Sequence, residues 1–122
     1  MILRLAIRAL AAAILILLPE AALGHSGLVR ASPQAGTTVD SAPKEVLLSF
    51  SETLEPAFSS IEVRDAKGEA VHDGKASVGP AKRTQMRIGL KALAPGTYKV
   101  IWRVLSVDTH RSQGSFTFRV GR

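Results

Sequence analysis

The chain has 122 residues, no cysteine and a formal net charge of +6, with sixteen basic and ten acidic side chains. The lack of cysteine excludes disulfides and thiolate metal sites. The charges of both signs are scattered through the sequence and not clustered with aromatics, which argues against a nucleic-acid surface.

The first residues place Arg4 and Arg8 around an apolar stretch, Ala9 to Leu18, followed by Pro19 and Glu20-Ala21-Ala22-Leu23-Gly24. This pattern reads as a cleavable secretory signal peptide, with Ala22 and Gly24 as the small residues that precede a cut after Gly24. The apolar run is shorter than the roughly 20 residues needed to cross a bilayer, which argues against a retained anchor. The expected organisation is therefore a signal peptide over residues 1–24 and one exported domain over residues 25–122. Removal of the leader takes two arginines and one glutamate and leaves the domain basic, with His25 as its first residue.

Beyond residue 24, helical periodicity gives way to short alternating segments separated by Gly, Pro, Ser and Asp, the pattern of an antiparallel sandwich or barrel. Shorter strands are expected near Leu28 to Ala31 and Ala70 to Ser77. Val46, Leu48 and Phe50 alternate with Leu47, Ser49 and Ser51. Ile61 and Val63 alternate with Glu62 and Arg64, and Met86, Ile88 and Leu90 with Arg87, Gly89 and Lys91. Each set predicts one buried and one wetted face. The longest strand is expected over Thr97 to Ser106, with Tyr98, Val100, Trp102 and Val104 on one side and Trp102 as the core anchor. A last strand, Ser115 to Val120, turns Phe116, Phe118 and Val120 inward.

The turn residues support these boundaries. Ser32-Pro33 and Ala42-Pro43 punctuate the first third, Ala66-Lys67-Gly68 fits a hairpin, and Val78-Gly79-Pro80 fits a loop. Leu93-Ala94-Pro95-Gly96-Thr97-Tyr98 resembles the tyrosine corner of Greek-key sandwiches and gives Tyr98 a structural role.

Of the three histidines, His25 and His110 carry the candidate chemistry. As a first residue, His25 offers its free α-amine and its imidazole to one ion, which requires cleavage after Gly24. Asp108 and His110 stand two residues apart in Ser106-Val107-Asp108-Thr109-His110, so in extended backbone they share a side. Two nitrogens from His25, one from His110 and an oxygen from Asp108 form a sulfur-free set that suits square-planar Cu(II), whereas zinc would prefer a tetrahedron. The competing reading of D-x-H is a turn in which the carboxylate accepts backbone hydrogen bonds. Glu52 is either an aid to a ligand imidazole or a solvated edge carboxylate. His72, in a polar turn-like segment, is expected to be solvent-exposed, and Met86 to be core.

These residues resemble the CopC family of periplasmic copper-binding and copper-resistance proteins across nearly the whole exported chain. The resemblance rests on the initial His25, Ser32-Pro33, Ala42-Pro43 before Phe50-Ser51-Glu52, Pro95-Gly96-Thr97-Tyr98-Lys99-Val100, Trp102-Arg103, Ser106, Asp108-Thr109-His110, and Gly114 with Phe116 or Phe118. It implies an all-β, immunoglobulin-like Greek-key sandwich of about seven strands, preceded by the signal peptide. It also implies a periplasmic location and one Cu(II) per chain held by His25, Asp108 and His110. A partner such as an inner-membrane copper transporter of the CopD type follows from the same resemblance. Two departures stand out: Arg111 occupies the position after the second His, where the family often has Pro, and Met86 alone remains after processing, so no methionine-rich Cu(I) site is expected.

Three functions compete. The first is a copper carrier or buffer without enzymatic activity, used in resistance, homeostasis or import. The second is a copper mono-oxygenase that uses an amino-terminal His brace, and the third a metal-free immunoglobulin-like interaction module. The small domain, the scarcity of aromatics and a carboxylate at an equatorial position where an oxidase needs an open one all favour the carrier. The nitrogen donors, an α-amine (roughly 7.7 to 8) and imidazoles (roughly 6.5), must lose protons to bind, so affinity is expected to fall on acidification.

Overall fold

A computed structural model describes residues 27–121; the expected leader and His25 lie outside the described residues. The chain runs through β1 (Leu28–Ser32), β2 (Thr38–Val39), β3 (Glu45–Phe50), one 3-10 turn (Pro56–Phe58), β4 (Ser60–Arg64), β5 (His72–Val78), β6 (Gln85–Leu90), β7 (Gly96–Leu105) and β8 (Arg111–Val120). Two four-stranded sheets face each other, in the orders β1-β3-β6-β5 and β2-β8-β7-β4. The result is an all-β, immunoglobulin-like sandwich in which successive strands repeatedly change sheet. None of the described helices is long and apolar enough to cross a membrane.

The alternating residues form the core. Val46, Leu48 and Phe50 of β3, Ile61 and Val63 of β4, Met86 and Ile88 of β6, and Tyr98, Val100, Trp102 and Val104 of β7 are all buried. Phe116, Phe118 and Val120 of β8 complete the core. Trp102 is fully buried and packs edge-on against Phe50 of the opposite sheet, with ring centroids 6.4 Å apart, and against Phe116 at 6.2 Å. The tyrosine corner is present: the Tyr98 hydroxyl donates to the Ala94 carbonyl at 2.5 Å.

Four details differ from the sequence expectation. Among the described residues there are eight strands, because Thr38–Val39 pairs in parallel with the end of β8; two residues are too few to carry a periodic signal. The turn at Ala66-Lys67-Gly68 closes only a single bridge, Arg64 to Ala70, before β4 and β5 part into different sheets. Asp65 holds that turn by accepting the Lys67 and Glu69 N–H groups, each at 2.9 Å, and Gly68 takes the left-handed conformation (φ 85°) that suits glycine. The last strand begins at Arg111 and not at Ser115, so β7 and β8 stay paired from Gly96–Val120 to Leu105–Arg111. That unbroken hairpin delivers the D-x-H segment to the sandwich's open end.

The fourth concerns His72, which is half-buried and not solvent-exposed. Its Nδ1 accepts the Val63 N–H at 3.1 Å. The imidazole supplies an acceptor where the chain leaves one sheet for the other and backbone pairing is interrupted, as a buried N–H requires.

Candidate metal centre

The alternation along β7 that turns Tyr98, Val100, Trp102 and Val104 inward also turns Ser106 inward, where it is the buried polar residue of the core layer. A buried hydroxyl needs partners. Ser106 finds them in the turn that follows: its hydroxyl donates to Asp108 Oδ1 and accepts the His110 N–H at 3.1 Å. The Ser106 N–H donates to the His110 carbonyl and the Thr109 N–H to the Ser106 carbonyl, both at 2.9 Å. The turn forces Thr109 to φ 72°, an uncommon conformation for a β-branched residue.

The turn reading of D-x-H is the one the hydrogen bonds bear out. The segment is a turn and not extended backbone, Asp108 accepts hydrogen bonds within it, and the same turn gathers the two candidate ligands. His110 Nδ1 lies 3.3 Å from Asp108 Oδ2. The two side chains are 76 % and 57 % exposed, open to an arriving ion.

The segment after β3 brings in a third donor. The Val107 N–H donates to the Thr53 carbonyl at 2.9 Å, Glu55 N–H to the Leu105 carbonyl at 2.8 Å, and Leu54 bridges to Ser106. These bonds fasten the stretch after Phe50 to the end of β7, and Glu52 Oε2 comes to 3.7 Å from His110 Nδ1. The sequence left Glu52 undecided between a site residue and a solvated edge carboxylate. Its position beside the imidazole is set by pairing between segments fifty or more residues apart, which no local pattern displays.

Glu52, Asp108 and His110 each offer a donor atom within 4.8 Å of the others. Glu52 Oε2 is itself buried and has no hydrogen-bond donor among the described residues. A carboxylate oxygen withdrawn from water without a donor is costly, and a cation held against it and the imidazole removes that cost. The Ser106 hydroxyl first, and the Glu52 carboxyl second, hold Asp108 well below its ordinary value of 3.8, at about 2. It is thus ionised at any physiological pH.

A cavity of about 170 Å³ opens at this point, lined by buried Phe50, Leu54, Val104 and Ser106 and by the more exposed Glu52 and His110. Gly27 lines the same cavity, held there by its carbonyl, which accepts the Ser51 N–H at 2.7 Å. His72 belongs to a different place, the start of β5, and Met86, 1 % exposed, is closed into the core.

Residues 28–121 match the CopC domain family. The chain belongs to the CopC family. Among solved structures, this CopC chain is similar to CopC from Methylosinus trichosporium OB3b, at 40 % identity and a TM-score of 0.74, over 80 % of this chain and 94 % of that one. It is similar also to PcoC, a methionine-rich copper resistance protein from Escherichia coli, at 36 % identity and a TM-score of 0.67, over 79 % and 98 %. The copper transport protein CutJ of Bacillus subtilis is 29 % identical over 109 residues, which make up 88 % of this chain and 20 % of CutJ. The family is one of copper resistance and transport, and this CopC chain differs from methionine-rich PcoC in its methionines, which are Met1 and the buried Met86.

Proposed function

We propose that this CopC protein is exported to the periplasm, cut after Gly24, and binds one Cu(II) through His25, Asp108 and His110, with Glu52 alongside. It carries or buffers the ion and turns over no substrate. The observation that carries this reading is the anchoring of Gly27. Its carbonyl is tied to Ser51 on the wall of the cavity that Glu52 and His110 line. Two residues of extended chain span at most about 7 Å, so in a chain that starts at His25 the α-amine is tethered no farther than that from Gly27, which supports its recruitment to the Asp108–His110 pair.

The donor chemistry agrees. Nitrogen donors with carboxylate oxygen and no available sulfur favour Cu(II) over Cu(I), and Cu(II) heads the divalent affinity order. Asp108 takes a coordination position that an oxygen-activating enzyme would leave open, which supports a carrier over a mono-oxygenase. Because a similar domain accounts for one fifth of a copper transport protein, the partner we propose is an inner-membrane copper transporter of the CopD type.

The test is Cu(II) titration followed by electron paramagnetic resonance, on protein starting at His25 and on protein with one extra Gly before it. A tight one-to-one, nitrogen-rich tetragonal signal that weakens with the added Gly is expected. Equal signals would remove the α-amine from the site, and no tight binding to either would overturn the copper reading.

A further inference from the structure

The two outer faces of the sandwich carry charge differently. On one, the central strands β3 and β6 turn out one charge of each sign, Glu45 and Arg87, 3.7 Å apart, and the edge strands β1 and β5 expose Arg30, Asp73 and Lys75, a near balance of signs. On the other, the side chains that alternate with the core residues of β4, β7 and β8 include Arg64, Lys99, Arg103, Arg111 and Arg119. Glu62 is the one acid turned outward from these three strands, and it lies between Arg64 at 2.6 Å and Arg103 at 3.3 Å. Arg64 and Lys99 stand directly opposite each other in the β4–β7 register, a like-charge pairing that costs stability, although Arg64 also donates to the Gly68 carbonyl at 2.9 Å.

The basic residues are spread over the sheet. Arg111 and Arg119 mark the two ends of β8, about 27 Å apart at 3.4 Å per residue, and the positions between them are Gln113, Ser115 and Thr117. Such a face lacks the buried aromatic anchors around which protein interfaces concentrate their affinity. Its one aromatic is at the rim: Phe58, in the 3-10 turn, is 66 % exposed and shares a groove with Arg103, Arg111 and Gln113 at the copper end. Dispersed cations with an exposed aromatic beside them fit an extended anionic surface into which a ring can dip.

We propose that the outer face of the β2-β8-β7-β4 sheet docks on an anionic phospholipid bilayer, with Phe58 seated among the headgroups. Arg111 links this face to the metal centre, because it follows His110 in the chain and lines both the copper cavity and the Phe58 groove. Docking therefore brings the copper end down to the membrane. The docking is independent of the copper ligands, so its test is run with chelator present and does not share the fate of the copper reading.

The experiment is co-sedimentation of the chain starting at His25 with vesicles of about two-thirds phosphatidylcholine and one-third phosphatidylglycerol, and with vesicles of phosphatidylcholine alone. At about 50 mM salt the protein is expected on the anionic vesicles only, and at about 500 mM salt it should be released. The triple variant Lys99→Gln, Arg111→Gln, Arg119→Gln should lose at least about tenfold in partitioning. The matched variant Lys44→Gln, Lys75→Gln, Lys91→Gln should bind as the parent does, and Phe58→Ser should weaken binding severalfold. Circular dichroism confirms that each variant is folded. Equal binding to both kinds of vesicle, or equal losses in the two triple variants, would overturn the proposal. Capture by immobilised poly-glutamate without vesicle binding would overturn it too, in favour of an acidic protein partner.

Discussion

Asp108 is exposed, yet its carboxyl is held at about 2, chiefly by the Ser106 hydroxyl and then by the Glu52 carboxyl. A folded-state value depressed from 3.8 means that the ionised form is favoured by folding. Its contribution to stability is full above 3.8 and is lost as the pH falls from there towards about 2. In metal-free protein Ser106→Ala should move the Asp108 titration upward towards 3.8, as read by carbon NMR of the carboxyl. Copper release on acidification should keep its midpoint in the same variant, because the nitrogen donors take up protons at much higher pH than this carboxylate. A release midpoint that followed Asp108 would place the carboxylate, and not the nitrogens, in control of the ion.

At the scale of elements, the β7–β8 hairpin is fastened at both ends, by the tyrosine corner at its base and by the Ser106 turn at its tip. Tyr98→Phe removes the bond to Ala94 and should cost about 1 kcal/mol in denaturant unfolding with an unchanged slope. Copper stoichiometry should not change, because Tyr98 lies eight residues before Ser106, which directly follows β7, about 27 Å away along extended chain. Tyr98 was legible because its corner is encoded in adjacent residues, and β3, β6 and β7 because alternation there runs for six residues or more. Thr38–Val39, the burial of His72 and the place of Glu52 were not legible for one shared reason. Each is fixed by a partner distant in sequence: β8, the Val63 N–H where β4 and β5 diverge, and the stitching of residues 53–55 onto the end of β7. The D-x-H pair was visible as a motif, while the turn that presents it depends on Ser106, whose burial only the phase of β7 revealed.

The whole molecule depends on contact between its sheets, and Trp102 is the largest side chain sealed in that contact. Trp102→Ala should cost about 3–5 kcal/mol, a large part of the roughly 5–15 kcal/mol available to a small domain. Ile101→Ala, one residue along and facing outward, should cost well under half as much, and urea titration of both variants compares them directly. An equal cost would mean that the two faces of β7 contribute alike. The sandwich is open at the end where the cavity lies, with Gly27 and Glu52 reaching it from the β1-β3 side and Ser106 and His110 from the β7-β8 side. An ion bound as proposed, gripped from both banks of that opening, would act as a clasp that reinforces the backbone bonds of residues 53–55 to the end of β7. Its capture would then be felt as resistance to prying the layers apart, so the cargo would strengthen its container for as long as it is carried.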